Sequence, residues 1–162
     1  MELDAIAGQL VQPTLFEVGE AASGAVELFP AVWSAAEMLF APEVAIRQQG
    51  ISRLVELGAA RLSPLIASVL AVRLTDPDLE IRRQIAHILG DILSADTLGQ
   101  CAPDQVRQYL THTLGQMRQR PIFALLEVAI SDPSAEQPIA RLLNACPYAG
   151  RHLGDILTER KH

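Results

Sequence analysis

A short motif that returns in register constrains this chain more than any other feature. Pro42-Glu43-Val44-Ala45-Ile46-Arg47 is followed by Pro77-Asp78-Leu79-Glu80-Ile81-Arg82, 35 residues later (position 42 against 77). The two copies share the proline, the acid, an aliphatic residue, the isoleucine and the arginine. The register continues with Ile51 over Ala86, Leu54 over Leu89 and Leu57 over Ile92. A unit of this length cannot bury its own apolar face, so recurring units have to stack on one another.

Each copy reads as a helix. Val44, Ile51, Leu54 and Val55 form a stripe at helical spacing, as do Leu79, Ala86, Leu89 and Leu93. The second copy adds a row on an adjacent face: Ile81, Ile85, Ile88 and Ile92. A helix apolar over so wide an arc needs cover on more than one side. The first copy has Gly50 and Arg53 in that row and should be less enclosed. Asp76 is placed as an N-cap with Pro77 at the first helical position, and Ser131-Asp132-Pro133 repeats the signal. Ser63-Pro64 opens a helix to about Leu74, with Gly58–Leu62 as the turn before it. Further helices are expected over Asp104–Met117, Gln119–Ile130, Ser134–Ala145 and Pro147–Glu159, after a connection from Ser94 to Pro103. Before the repeats, Leu3–Leu10 and Ala25–Phe40 read as helices, the latter with Pro30 as its start or its interruption.

The segment Asp76-Pro77-Asp78-Leu79-Glu80-Ile81-Arg82, followed by Ala86, Leu89 and Gly90, resembles the HEAT-repeat superfamily, clearest over residues 42–93. The resemblance implies an all-α fold: a short right-handed α-solenoid of paired antiparallel helices, with about three repeats and N-terminal capping helices. One domain spans 1–162, divided into an acidic capping segment (1–41), repeats (42–145) and a C-terminal capping helix (146–162). The resemblance also implies an inter-repeat ladder through Asp76, Arg82 and, by register, Arg47. Ala41 stands where the first copy's corner Asp would be.

Composition agrees with helices packed through aliphatic side chains: 49% of residues are hydrophobic and only 4% aromatic. Cys101 and Cys146 match no metal or redox spacing. Apolar stretches are interrupted by Glu27, Glu37, Arg61 and Arg73, short of the ~18 residues of a membrane span. The acidic start, Met1-Glu2-Leu3-Asp4, is unlike a secretory signal, so a cytoplasmic location is the expectation. No Lys or Arg precedes Arg47, whereas seven acids do, so that segment carries −7 and the rest of the chain +1 of the net −6. A nucleic-acid partner is not expected, because phosphate binding needs a basic stripe.

No catalytic constellation emerges. His87 has Asp91 four residues on, an ordinary helix-surface pair without a nucleophile. Cys146 and His152 flank Pro147 with no third group. No cofactor or metal is expected. The reading is therefore a non-catalytic adaptor or scaffold that binds a protein, and not an enzyme. The alternatives are a self-associating module, with a homodimer through the apolar N-terminal segment, and a small lyase-like or ligand-modifying enzyme. The second helices of successive pairs are expected to carry the partner surface. Its candidate residues are Arg73 on the first, Gln105, Gln108, Tyr109 and His112 on the second, and Gln137, Arg141 and Asn144 on the third. Ala25–Phe40, with Leu28, Phe29, Trp33, Met38, Leu39 and Phe40, is expected to cap the first repeat with its acids outward; Leu15 and Phe16 precede it.

Overall fold

Where the expected stripes meet one another decides the architecture. The computed structural model describes residues 25–94 and 103–159; within them the chain is helical, with no strand. The expected Leu3–Leu10 helix, Leu15, Phe16, Cys101 and most of the Ser94–Pro103 connection lie outside the described residues.

A 3-10 turn, Ala25–Leu28, leads into α1 (Pro30–Met38). Pro30 starts this helix, where a missing amide costs nothing. Helix α1 lies on α2 (Val44–Glu56), as expected of a cap. The aromatic residues do not make the contact. Val32, Ala35, Ala36 and Leu39 are buried, while Phe29, Trp33 and Phe40 face outward. Val32, Ala35, Ala36 and Leu39 are spaced i, i+3, i+4, i+7, and the small Ala35 and Ala36 let the two backbones come close. Gly50 lies beneath them: a Cβ there would stand 2.8 Å from the Ala35 carbonyl oxygen. The expectation of a less enclosed Gly50 row is thus half corrected, since α1 covers Gly50 and leaves Arg53 exposed. Of the first stripe, Ile51 and Leu54 are buried; Val44 and Val55 are exposed.

The expected turn after Gly58 contains a single helical turn, α3 (Ala59–Leu62). Ser63 then caps α4 (Pro64–Val72), its hydroxyl accepting from the Ile66 amide at 3.1 Å. A 3-10 turn, Arg73–Thr75, ends at the corner Asp76-Pro77-Asp78. Here the cap differs from expectation. Asp78, not Asp76, caps α5 (Leu79–Ile92), accepting from the Ile81 amide at 3.0 Å. Asp76 is turned inward, because two arginines compete for its carboxylate.

Helix α5 is the centre of the molecule. Ile81, Ile85, Ala86, Leu89 and Ile92 are buried, and the helix touches α2, α3, α4, α7 (Gln119–Ser131) and α8 (Glu136–Asn144). The wide apolar arc read from its sequence is covered on several sides. Helix α6 (Asp104–Gly115) packs beside α4, and α9 (Tyr148–Glu159) on α8. A close crossing joins α5 to α8. At Gly90 an added Cβ would lie 2.5 Å from Pro138 Cβ and 2.9 Å from its carbonyl oxygen.

That crossing yields a prediction of unexpected sign. Gly→Ala inside a helix ordinarily stabilises by about 1 kcal/mol. Gly90→Ala should instead destabilise by about 1–3 kcal/mol, the usual cost of forcing a methyl into a filled interface. Urea melts of the two proteins decide it. A more stable alanine variant would refute the α5–α8 contact.

Candidate functional site

The chemistry-bearing residues fall into three groups. The first is the buried cluster at the α4–α5 corner. Arg47, projecting from the first turn of α2, donates from Nη2 to Asp76 Oδ1 at 3.2 Å, and its Nε lies 2.9 Å from Oδ2. Its Nη1 donates to the carbonyls of Ala41 (2.9 Å) and Pro42 (2.8 Å). Arg73 donates to Asp76 Oδ2 at 2.7 Å, and the Asp78 amide to Oδ1 at 2.9 Å. The Asp76 side chain is wholly buried. Burial pulls its pKa upward, but the Asp78 amide, Arg73 and Arg47 together outweigh burial and hold it below the ordinary carboxylate value. Two of the three expected ladder residues therefore meet. Arg82 finds another partner: its Nη1 reaches Glu127 Oε2 on α7 at 2.9 Å. Arg73, one of the residues expected on the partner surface, is spent here; its guanidinium also sits 5.3 Å from the Phe40 ring centroid.

The second group surrounds Asp132. Arg83 Nη1 stands 3.8 Å and His87 Nε2 3.9 Å from Asp132 Oδ2. His87 is thus directed to the next corner and not to Asp91 as its spacing had suggested. The Ser134 hydroxyl donates to Asp132 Oδ1 at 2.7 Å, and this bond is the main reason the Asp132 pKa lies below its usual value. Beside this group, Ile51, Val55, Arg83, Gln84, His87 and Ile88 line an open groove of about 550 Å³ between α2 and α5. Sequence reasoning missed the groove. Its signal was the residue pair Val55 and Ile88, apolar positions at the margin of each copy's buried stripe.

The third group is the expected partner surface, and the structure assembles only part of it. Gln105, Gln108, Tyr109 and His112 project from α6 and are exposed. His112 Nε2 lies 3.2 Å from the Gln116 amide nitrogen. Gln108 and His112 line a groove of about 560 Å³ with Leu93, Asp104, Arg107 and Thr111. Helices α4 and α6 are joined by Ser68 Oγ and Thr113 Oγ1 at 3.2 Å. Leu65 and Val72 flank Ser68 at i−3 and i+4, and Tyr109 precedes Thr113 by four; all three are exposed. They therefore border the same seam. Gln137 and Asn144 are exposed on α8, but that helix packs on α5 and α9 instead of extending the α4–α6 row. Arg141 is half-buried, its Nη1 donating to the Gly90 carbonyl at 3.2 Å. It fastens the α5–α8 crossing.

Cys146 is buried, its Sγ donating to the Leu142 carbonyl at 3.3 Å, while His152 is exposed. Burial pushes the thiol up to about 11, so it stays protonated at neutral pH. Among the described residues no three His, Cys, Asp or Glu side chains converge as metal ligands. Nor is any described helix long and apolar enough to cross a membrane. No family model matches this chain, and neither does any curated protein or solved structure.

Two measurements check these assignments. Because Asp76 has a lower pKa folded than unfolded, its stabilisation is complete above the unfolded value of about 3.9 and fades as pH falls through the folded one. Wild type should lose stability below about pH 4. Asp76→Asn should be weaker at pH 7 by about 3–5 kcal/mol, the scale of breaking a buried ion pair, with a flatter acid profile. Parallel profiles would show that the cluster contributes nothing specific. Separately, iodoacetamide at pH 8 should leave Cys146 unmodified in the native protein and alkylate it in denaturant, read by peptide mass spectrometry. Rapid native labelling would place the thiol at the surface.

Proposed function

We propose that this chain is a non-catalytic interaction module, a short HEAT-like stack of helix pairs that holds another protein on its α4–α6 face. One observation carries the reading. Leu65, Val72 and Tyr109 stand exposed along a seam held by Ser68 and Thr113, with His112 and Gln108 at its edge. An apolar centre with a hydrogen-bonding rim is the composition of a protein interface, and tyrosine is a frequent hot spot. The ionisable groups support the same reading from the other direction. Arg47, Arg73, Arg82, Asp76 and Asp132 are engaged in holding corners and helices together, which suits a rigid scaffold. The recurring motif and the Arg47–Asp76 bridge between its two copies favour HEAT-like stacking. The position of α8 against α5 makes any third unit irregular.

Binding of a partner retained on the immobilised protein tests the proposal. Tyr109→Ala and Val72→Ser should each weaken retention by more than ~1 kcal/mol, with unchanged melting temperature. Arg53→Ala, on the far side of α2, should leave it intact. Loss confined to Val55→Ser and Ile88→Ser would move the site to the α2–α5 groove. Arg141→Ala should lower stability and not affinity, since its guanidinium serves the Gly90 carbonyl.

A further inference from the structure

The neighbourhood of the α4–α6 face carries cations that the fold leaves unpaired. Arg61 stands on α3 two residues before the Ser63 cap, Arg107 lines the groove with Gln108 and His112, and Arg118 and Arg120 follow the end of α6. Among the described residues none of these four takes part in an ion pair, unlike Arg73 and Arg82. Asp104 is the only acid on α3, α4 or α6. The apolar centre of the face is Leu65, Val72 and Tyr109, 44%, 60% and 44% exposed. This surface is therefore apolar with a net basic surround. The α1 strip is the reverse. Its exposed Phe29, Trp33 and Phe40 share that end of the chain with Glu27, Glu37 and Glu43, and the cation against Phe40, Arg73, is bound to Asp76.

The chain itself contains an occupant with the matching pattern. Residues 1–24 hold the acids Glu2, Asp4, Glu17 and Glu20 and no Lys or Arg. Leu3, Ile6, Ala7 and Leu10 recur at i, i+3, i+4 and i+7, with Glu2, Asp4 and Gln9 off that stripe. The point at which this segment joins the fold is fixed. Val26 is buried, the Ser63 hydroxyl donates to the Glu27 carboxylate, and the Trp33 indole donates to the Glu27 carbonyl at 2.5 Å. Ser63 caps α4, so the chain enters at the start of that helix, two residues from Leu65. We propose that residues 3–10 pack as an amphipathic helix on the α4–α6 face of their own chain and close it until a partner displaces them. The proposal rests on the reading of that face as the partner site and adds its regulation. The connection from Leu10 to Ala25 can span at most roughly 50 Å, several times the ~14 Å length of α4. Tethering at such range holds the helix at an effective concentration of the order of millimolar, so a contact too weak to form between separate molecules is occupied within one. On this face its acids meet unpaired arginines; on the α1 strip they would meet Glu27, Glu37 and Glu43. A partner competing for the same contacts has the same character, an acidic amphipathic helix.

Photo-cross-linking within the whole 1–162 chain tests this. Leu10 is replaced by the photoreactive p-benzoylphenylalanine, the protein is irradiated, and the joined peptides are identified by mass spectrometry. The expected product is intramolecular and links position 10 to α4 or α6, around Leu65, Val72 or Tyr109. Glu2→Gln with Asp4→Asn, and separately Leu3→Ser with Ile6→Ser, should each cut its yield by about fivefold or more. Neither pair lies in α1–α9, so the fold that receives the segment is left as it is. Cross-links to Phe29, Trp33 or Phe40, cross-links between two chains, or none at all overturn the proposal. So does an undiminished yield in either double variant. In the partner-retention test, Leu3→Ser with Ile6→Ser should tighten binding by about fivefold, because the competing helix is weakened. Unchanged retention overturns the closure. If position 10 cross-links to α4–α6 while Tyr109→Ala leaves retention intact, the partner reading fails alone and the intramolecular contact stands.

Discussion

The buried carboxylate of Asp76 is the point on which the arrangement of the repeats turns. A lone charge there would be costly to desolvate, so its partners must arrive with it. Arg47 comes from α2, Arg73 from the end of α4, and the Asp78 amide from the start of α5. Satisfying one residue thereby sets three helices relative to one another. Arg47 extends the linkage backwards through the carbonyls of Ala41 and Pro42. The first copy needs no aspartate at that corner, because main-chain oxygens accept the arginine's remaining donors. Net stabilisation from such a cluster is modest; what it supplies is one preferred packing angle over its neighbours.

How much of this was legible beforehand differs from element to element, for physical reasons. Helix α5 could be read closely, since its row of isoleucines has the period of an α-helix and no competing pattern. Its cap was placed two residues early, because Asp76 and Asp78 are equally good caps in isolation. Only the tertiary arrival of Arg47 and Arg73 assigns them different work. In α1 residue size misled: the aromatic rings suggested the buried face, whereas the spacing of Val32, Ala35, Ala36 and Leu39 already identified it. Where a helix approaches another closely, small residues such as Ala35 and Ala36 can take buried positions that an aromatic ring could not.

The partner surface shows the same limit in another form. Periodicity divides α6 into inward and outward faces well enough to place Tyr109 and His112. It cannot say which helix a neighbour will be. Arg141 occupies an outward position on the wheel of α8, yet α8 crosses α5 so closely that the guanidinium reaches the Gly90 carbonyl. Contacts between residues far apart in the chain depend on crossing angles, and those are encoded by few residues, here chiefly Gly90 and Pro138.

That crossing also bears on the order in which the molecule assembles. Helices α2 to α5 are joined by short connections and can collapse on one another while loop closure is still cheap. The Gly90–Pro138 contact instead links distant stretches of chain and forms only when both surfaces already have their final shape, because neither the glycine nor the proline offers a flexible side chain to adjust. Docking of α8, with α9 on its back, is therefore expected to come late, covering the flank of α5 that the local collapse leaves open. In the opposite direction it is the first part to come away. Amide exchange in α8 and α9 would report a lower opening free energy than in α5, making these two helices a separable cooperative unit.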